Sequence, residues 1–559
     1  MIGTRTEREA RGRASAFGLL VAALMATMLL TAKPAHAATF TVNSAGDSGD
    51  NNPGNGTCAT QPFQVGTEPE CTLRAAIEET NANANDATVV DEIHFDIAGT
   101  GVHTISPATT FGLPSITEPV IIDGYTQPGA SPNTLATGNN AALKIELDGT
   151  NAGAGAVGIG IGASNSVVRG LVINRFGGAG VAIGSGVGVQ VEGNFVGTDP
   201  AGTIDLGNGG AGVRLFDGSF NVVGGASPGA RNVISGNGGD GISVVRAQAS
   251  THRIEGNHIG TKKDGTSFLA NGGAGVAIVD SYDVTIGGAT PGAANTIAFN
   301  DADGISIRTG FFDIASTGNR ILSNSIFSNA LRGIDLDDDG VTANDTGDAD
   351  ADSNNLQNYP VLSSAIKSGP TNAIRGSLNS TPNTTFTLQF FSSPQADPSG
   401  FGEGQRFLGQ RNVTTDASGD AAFSFSIRAA TAVGQAVAMT ATSASGDTSE
   451  FSRAIPLRKD TVKPTITPLS PKPGSKSFKR TVKVQAVVRD NMTNLAKGNV
   501  RLFMDGKRKR GFAYNRSTDR LGFTARKLSF KRHTVRITAT DGAGNVTSKT
   551  WRFTVKKRR

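Results

Sequence analysis

Between Gly212 and Asn237 the chain reads GVRLF, FNVVGG and NVISGN, short runs in which apolar residues fall at alternate positions and Gly or Asn stand at the ends. A period of two places one set of side chains on one face of a strand, and the bounding residues are those that turn a backbone. The pattern returns along the chain. Gly followed by Val or Ile opens such a run at Gly180, Gly212, Gly241, Gly275, Gly304 and Gly333, at intervals of 32, 29, 34, 29 and 29 residues. Runs this short cannot bury an apolar face as isolated hairpins. Three strands per interval, each stacked about 4.8 Å from its counterpart in the next interval, predict a solenoid whose inward Val, Ile and Leu cover one another. A longer period defines the unit: VEGNFVGTDPAGTIDLGNGGAGVRL from Val191 recurs from Ile254, and GGASPGARNVISGNGGDGI from Gly224 recurs from Gly287, both offset by 63 residues.

Helical spacing is confined to CTLRAAIEETNAN, where Leu73, Ala76, Ile77 and Thr80 share one face and Glu78 and Glu79 are expected to face water. The first coil of a solenoid exposes unpaired backbone and apolar side chains, so this amphipathic helix is predicted to cap it. Beyond Pro360 the cadence changes. TTFTLQFF, AAFSFSI and AVAMTATS read as strands of one small sandwich, and TVKVQAVVRD, VRLFMDG, HTVRITATDGAGNV and TWRFTV as strands of a second. Their lengths and polar turns suit immunoglobulin-like folds without an internal disulfide.

The GNxI, NxIxxN and GI cadence resembles the right-handed parallel β-helix repeat. CTLRAAIEETN at Cys71 is similar to the Cys-Ser-Leu-Arg-Glu-Ala box that opens a group of secreted bacterial β-helix proteins, departing from it at Thr72 and Ala75. IIDGYTQPGA at Ile121 and LQNYPVL at Leu356 also look like phrases of this group, and the resemblance covers roughly Thr39 to Pro360. It implies a right-handed parallel β-helix and an exported location, and brings no activity that transfers residue by residue. The expected organisation is all-β: a signal peptide over 1–37, a cap over 38–90, the β-helix over 91–357 with an acidic loop at 335–355, and immunoglobulin-like sandwiches over 358–458 and 459–559.

Composition agrees, since 73 glycines and one tryptophan describe tight turns and small side chains. The formal net charge of +5 hides two opposed halves: Lys459 to Arg559 holds 27 basic and 5 acidic residues, whereas Ala38 to Arg458 holds 20 and 40. At the start, Arg5, Arg8, Arg11 and Arg13 precede the apolar run AFGLLVAALMATMLL and then Ala35-His36-Ala37, the pattern of a cleaved secretory signal. The run is shorter than the roughly twenty residues of a membrane-spanning helix, so no span is expected after cleavage. Cys58 and Cys71, the two cysteines of the chain, are expected to form a disulfide in an oxidising compartment.

Candidate chemistry concentrates in two places. Asp335, Asp337, Asp339, Asp345, Asp348, Asp350 and Asp352 gather hard oxygen donors suited to calcium, either as a loose calcium loop stiffening the joint or as a solvated acidic linker. An EF-hand fails because the twelfth position from Asp335 is Thr346. The basic end carries Lys507, Arg508, Lys509 and Arg510 and a terminal Lys556, Lys557, Arg558 and Arg559, which would attract an extracellular polysaccharide or anionic wall polymer. The oppositely charged halves also allow self-association. Repeating Asn194, Asn232, Asn257, Asn295 and Asn324 read as amides bonded along the stack rather than as sugar ligands. Asp240 and Asp303, equivalent across the 63-residue repeat, read as turn residues, and GAGAVG at Gly153 as a rung rather than a dinucleotide loop. The sequence thus points to a secreted or cell-surface, non-catalytic β-helix protein acting in adhesion. A polysaccharide lyase or hydrolase acting on acidic polysaccharides is the alternative, with no catalytic residue assigned.

Overall fold

The computed structural model describes residues 37–62, 68–83, 90–247, 251–492 and 495–558; the expected signal peptide lies outside them, apart from Ala37. Three parallel sheets of nine, eight and seven strands run the length of the first part, from Thr39–Val42 to Ile334–Leu336. Each full coil contributes one strand to each sheet. One coil uses Val181–Ile183, Gln190–Glu192 and Phe195–Val196; the next uses Val213–Phe216, Val222–Gly224 and Val233–Ile234. This is a parallel β-helix. Its register stacks like on like: Ile122, Val168, Val191, Val223, Ile254, Ile286 and Ile321 follow one another up the first sheet, all buried.

The glycine beat has a steric cause. A Cβ on Gly180, Gly212, Gly241, Gly275 or Gly304 would lie 2.6–2.9 Å from the carbonyl oxygen of the next marker glycine, closer than a carbon can approach. The chain therefore needs glycine wherever the coils touch backbone to backbone.

The recurring asparagines form ladders inside the turns. Asn194 donates through Nδ2 to Asn232 Oδ1 (3.3 Å), Asn232 to Asn257 (2.9 Å), Asn257 to Asn295 (3.0 Å) and Asn295 to Asn324 (2.9 Å). A second ladder runs Asn208, Asn237, Asn271, Asn300 and Asn329 at 2.9–3.0 Å. All ten amides are buried, and in a dry turn a satisfied amide is what keeps the polar backbone from being stranded. The equivalent Asp240 and Asp303 do serve turns, accepting from the Ala274 and Arg332 amides of the following coil.

The helix α1 (Leu73–Ala82) covers the first coil with Leu73, Ala76, Ile77 and Thr80. Thr72 caps it, accepting from the Ala75 amide, and the Cys58–Cys71 disulfide (S–S 2.02 Å) closes the preceding loop. Glu79 does not face water as expected. The segment just before Cys58 folds over the outer face of α1 and turns the Gly54 and Gly56 amides into the Glu79 carboxylate, which is fully buried.

The far end is capped by the first sandwich, whose two four-stranded sheets span Val361–Lys459. It meets the last strand of each parallel sheet in turn. Ile321 N–H donates to Thr448 Oγ1 (3.0 Å), Ile326 N–H to Gly404 O (3.1 Å) and Leu336 N–H to Glu450 Oε1 (3.2 Å). Phe391, Ala438 and Phe451 of the first sandwich join the apolar core of the β-helix, while Ile374, Phe386, Phe390 and Val437 lie in a core of that sandwich's own; the second sandwich, from Thr465–Ser470 to Val546–Val555, has another around Trp551. Among the described residues no helix is long and apolar enough to cross a membrane.

Candidate functional site

The acidic segment does not act as one loop. Asp335 lies in the last β-helix strand, buried and 2.9 Å from Arg332 Nη1; Asp337 accepts from Ser353 Oγ; Asp352 accepts from Thr309 Oγ1; Asp339 is exposed. Asp338, which the expected calcium set omits, pairs with Arg308 and Ser306. Only Asp345, Asp348 and Asp350 each bring a carboxylate oxygen within 4.8 Å of the others. Asp348 is held by the Asn358 amide and Gln357 Nε2, both at 2.7 Å, and by Ser380 Oγ. Burial pushes its pKa up to about 6, with the charges of Asp350 and Asp345 adding to the effect. Asp350 is raised by burial and by Asp345, and its Oδ1 is buried with no hydrogen-bond partner. Three clustered carboxylates with an orphaned oxygen fit a hard cation, which takes oxygen ligands in flexible number. The other four of the expected set are used elsewhere or stand apart.

Two buried acids that sequence reasoning did not single out lie at the join between β-helix and sandwich. Glu403 ends the second asparagine ladder, its Oε1 accepting from Asn329 Nδ2 (2.9 Å) and its Oε2 from the Ser328 amide. Burial pushes it up to about 7. Glu450 takes the Leu336 and Thr342 amides at 3.2 and 3.1 Å and is pushed up to about 8 by burial, with the Asp335 charge adding to it. Both therefore hold a proton on the acid side of those values. No residue spacing could have marked them, since their role depends on where the sandwich docks.

In the second sandwich the two basic clusters are not brought together. Lys507–Lys509 is one edge strand of a five-stranded sheet, whereas Lys556 follows strand Val546–Val555, about three strand spacings or ~14 Å across the sheet, and bonds to Ser477 of the opposite edge strand. Lys557 approaches the Phe530 ring that Arg480 also covers; Arg559 lies outside the described residues. The register builds a different basic surface. Val500, Leu502, Met504, Val535, Ile537 and Trp551 face the core, so the alternate residues Arg501, Arg508, Arg536 and Arg552 are all exposed on the outer face. Arg536 lies over the Phe503 ring at 4.3 Å, an arrangement that fixes the guanidinium while leaving its donors free. The four strands that carry this face, 500–504, 507–509, 532–540 and 546–555, contain no Asp or Glu. Arg508 alone was in the expected set; the other three were legible as Arg alternating with apolar residues in VRLFM, HTVRIT and TWRFTV.

Two histidines of the coils, His252 and His258, are buried and structural. His252 is fully buried with Nδ1 accepting the Asn221 amide, and burial pulls it down to about 4, while His258 is pulled to about 3 by burial and then Arg231.

No protein-family model matches the chain. Among solved structures it is similar to an endo-β-1,4-mannanase from Thermotoga petrophila, at 17% identity over 18% of this chain and 21% of that one, with a TM-score of 0.16. It is also similar to fibronectin(III)-like modules of CbhA from Clostridium thermocellum, at 17% identity over 35% of this chain and 92% of theirs, with a TM-score of 0.15. A third is latent PorU from Porphyromonas gingivalis, at 14% identity over 36% and 23% of the two chains, with a TM-score of 0.17. The chain spans about a fifth of the mannanase, and at these scores the likenesses identify no activity.

Proposed function

We propose that this is a secreted or cell-surface β-helix protein of the bacterial group with a Cys-Ser-Leu-Arg-Glu-Ala-type box, non-catalytic and acting in adhesion. In this reading the β-helix, of the right-handed type, is a stiff spacer sealed at both ends, and the terminal sandwich binds an extracellular acidic polysaccharide or anionic wall polymer. The observation that carries it is the outer face of that sandwich, where Arg501, Arg508, Arg536 and Arg552 stand on adjacent strands free of acids. Arginines spread over successive strands of one face offer several contacts to the carboxylates or phosphates of an extended polymer, and arginine binds such groups with two donors at once. Calcium at Asp345, Asp348 and Asp350 would stiffen the segment that leaves the β-helix, and the N-terminal signal would export the chain.

The test exposes the full chain and an R501Q/R508Q/R536Q/R552Q variant to a panel of acidic glycans and wall polymers at low salt, scoring both retention and release of reducing ends or unsaturated products. Retention by the parent alone, without products, supports the reading. Product release would replace it with a lyase or hydrolase, and equal retention of both proteins would move the site elsewhere.

A further inference from the structure

The second sandwich has 5 acidic residues among 27 basic ones, so each acid has many cations to pair with. Asp505 takes His533 and Asp519 lies 3.4 Å from the Tyr514 hydroxyl. The other three behave differently. Asp460, Asp490 and Asp541 come from segments up to 81 residues apart in sequence, yet one carboxylate oxygen from each lies within 4.8 Å of the others. Among the described residues neither Asp460 nor Asp541 has an ion-pair partner, in the most basic part of the chain.

Asp460 carries the second observation. It is 1% exposed; Oδ1 accepts the Val462 amide at 3.0 Å, and Oδ2 is buried with no hydrogen-bond partner. A buried carboxylate oxygen left bare beside two other carboxylates is stable only with a positive ligand or a proton. The neighbouring framework is built to hold the group together. Asn545 ties the linker to the closing hairpin, its Nδ2 donating to Asp460 O (3.0 Å) and Asp541 Oδ2 (2.8 Å) while its amide donates to Asp541 Oδ1 (2.8 Å). Asp460 is also anchored to the first sandwich, its amide donating to Lys367 O at 3.0 Å beside the parallel pair Lys367 and Lys459. The two sandwiches touch there: a Cβ on Gly369 would lie 2.8 Å from Gly542 O.

We infer that Asp460, Asp490 and Asp541 form a divalent-cation site of calcium class that locks the linker to the second sandwich and sets the orientation of the two sandwiches. The donors are all oxygen, which excludes the soft metals, and the trio is separate from Asp345, Asp348 and Asp350 in the acidic segment. The consequence is mechanical: with the ion bound, the basic face is held in a fixed direction relative to the β-helix; without it, like charges push the linker and hairpin apart.

The test titrates calcium alone into the full chain carrying D345N/D348N, so that the proposed cation group of the acidic segment plays no part. One calcium per chain is expected by calorimetry, and none once D460N/D541N is added. A D345N/D348N chain that binds no calcium, or binds it equally with the additional pair, overturns the inference. Because the variants could unfold the hairpin, the unsubstituted chain supplies an independent readout. Trp551 is the single tryptophan and sits in the core of the second sandwich, so its fluorescence reports the melting of that domain alone. Millimolar calcium should raise that transition by several degrees and slow proteolysis between Asp460 and Pro464; an unchanged Trp551 melt contradicts the site.

Discussion

Glu450 makes the junction between β-helix and first sandwich sensitive to pH in a direction that can be worked out. The ordinary value for this carboxyl is 4.5, and in the folded protein burial and then Asp335 push it up to about 8. The folded state therefore holds a proton that the unfolded chain gives up, and stability falls as pH rises through this window. The stabilising contribution is complete below 4.5 and is lost as pH approaches 8, at about 1.4 kcal/mol per pH unit. Between pH 5 and pH 8 the loss is about 4 kcal/mol. Glu403, pushed up to about 7, and Asp335, pushed up to about 6, act in the same sense. Glu450→Gln mimics the protonated acid, so it removes one slope and leaves the others. Because Phe391, Ala438 and Phe451 of the first sandwich are packed into the β-helix core, the two should melt as one calorimetric transition. For a unit of roughly 400 residues, 4 kcal/mol corresponds to a shift of about 5 °C. The expected result is a parent transition that drops more steeply than the variant's from pH 5 to pH 8, the difference between them changing by about that amount. A difference constant with pH would show that Glu450 is ionised throughout and that the buried-acid account of the junction is wrong.

Replacing Asn257 by Ala removes three buried side-chain hydrogen bonds, those to Val223 O and Asn295 Oδ1 and the one from Asn232 Nδ2; a loss of about 3 kcal/mol is expected in urea unfolding, whereas an exposed turn residue would cost well under 1. Phe451→Ala removes a ring packed against Gly333, Gly402 and Gly404 and should cost about 3–5 kcal/mol. Hydrogen exchange should then accelerate at Ile321, Ile326 and Leu336, the amides that the sandwich caps; unchanged protection there would deny the capping role. Reducing the Cys58–Cys71 bridge, or replacing both by Ser, should cost about 2–4 kcal/mol and expose α1 to protease before the middle coils open. Simultaneous loss of protection along the whole β-helix would contradict its role as a local clasp.

The repeat was legible because each coil makes the same three demands of the chain: apolar residues inward, glycine where backbones touch, and asparagine in the dry turns. The offset of 63 spans two coils, which is why Asn194, Asn257 and Asn324 recur at or near it while Asn232 and Asn295 fall on the rungs between. The helical cap was readable from its spacing, but the fate of Glu79 was not, because a separate loop decides whether its outer face meets water. Residue density overstated the acidic segment. Eight aspartates between Asp335 and Asp352 imply one site, yet Arg332, Arg308, Ser353 and Thr309 draw four of them apart, three come together and Asp339 stays exposed. The basic clusters misled in the same way. Consecutive Lys and Arg alternate between sheet faces, so a surface of one sign is built from every second residue on several strands, and only register assembles it.

The most direct measurement is the salt dependence of binding to an acidic polymer such as heparin by the full chain and by its R501Q/R508Q/R536Q/R552Q variant, with equal calorimetric melting as the control for folding. The account predicts weaker binding by the variant and a shallower fall of log affinity with log salt, by about one unit for each arginine in contact. Equal affinities with parallel salt dependences would show that the polymer is held elsewhere, and the assignment of this face as the attachment surface would be wrong.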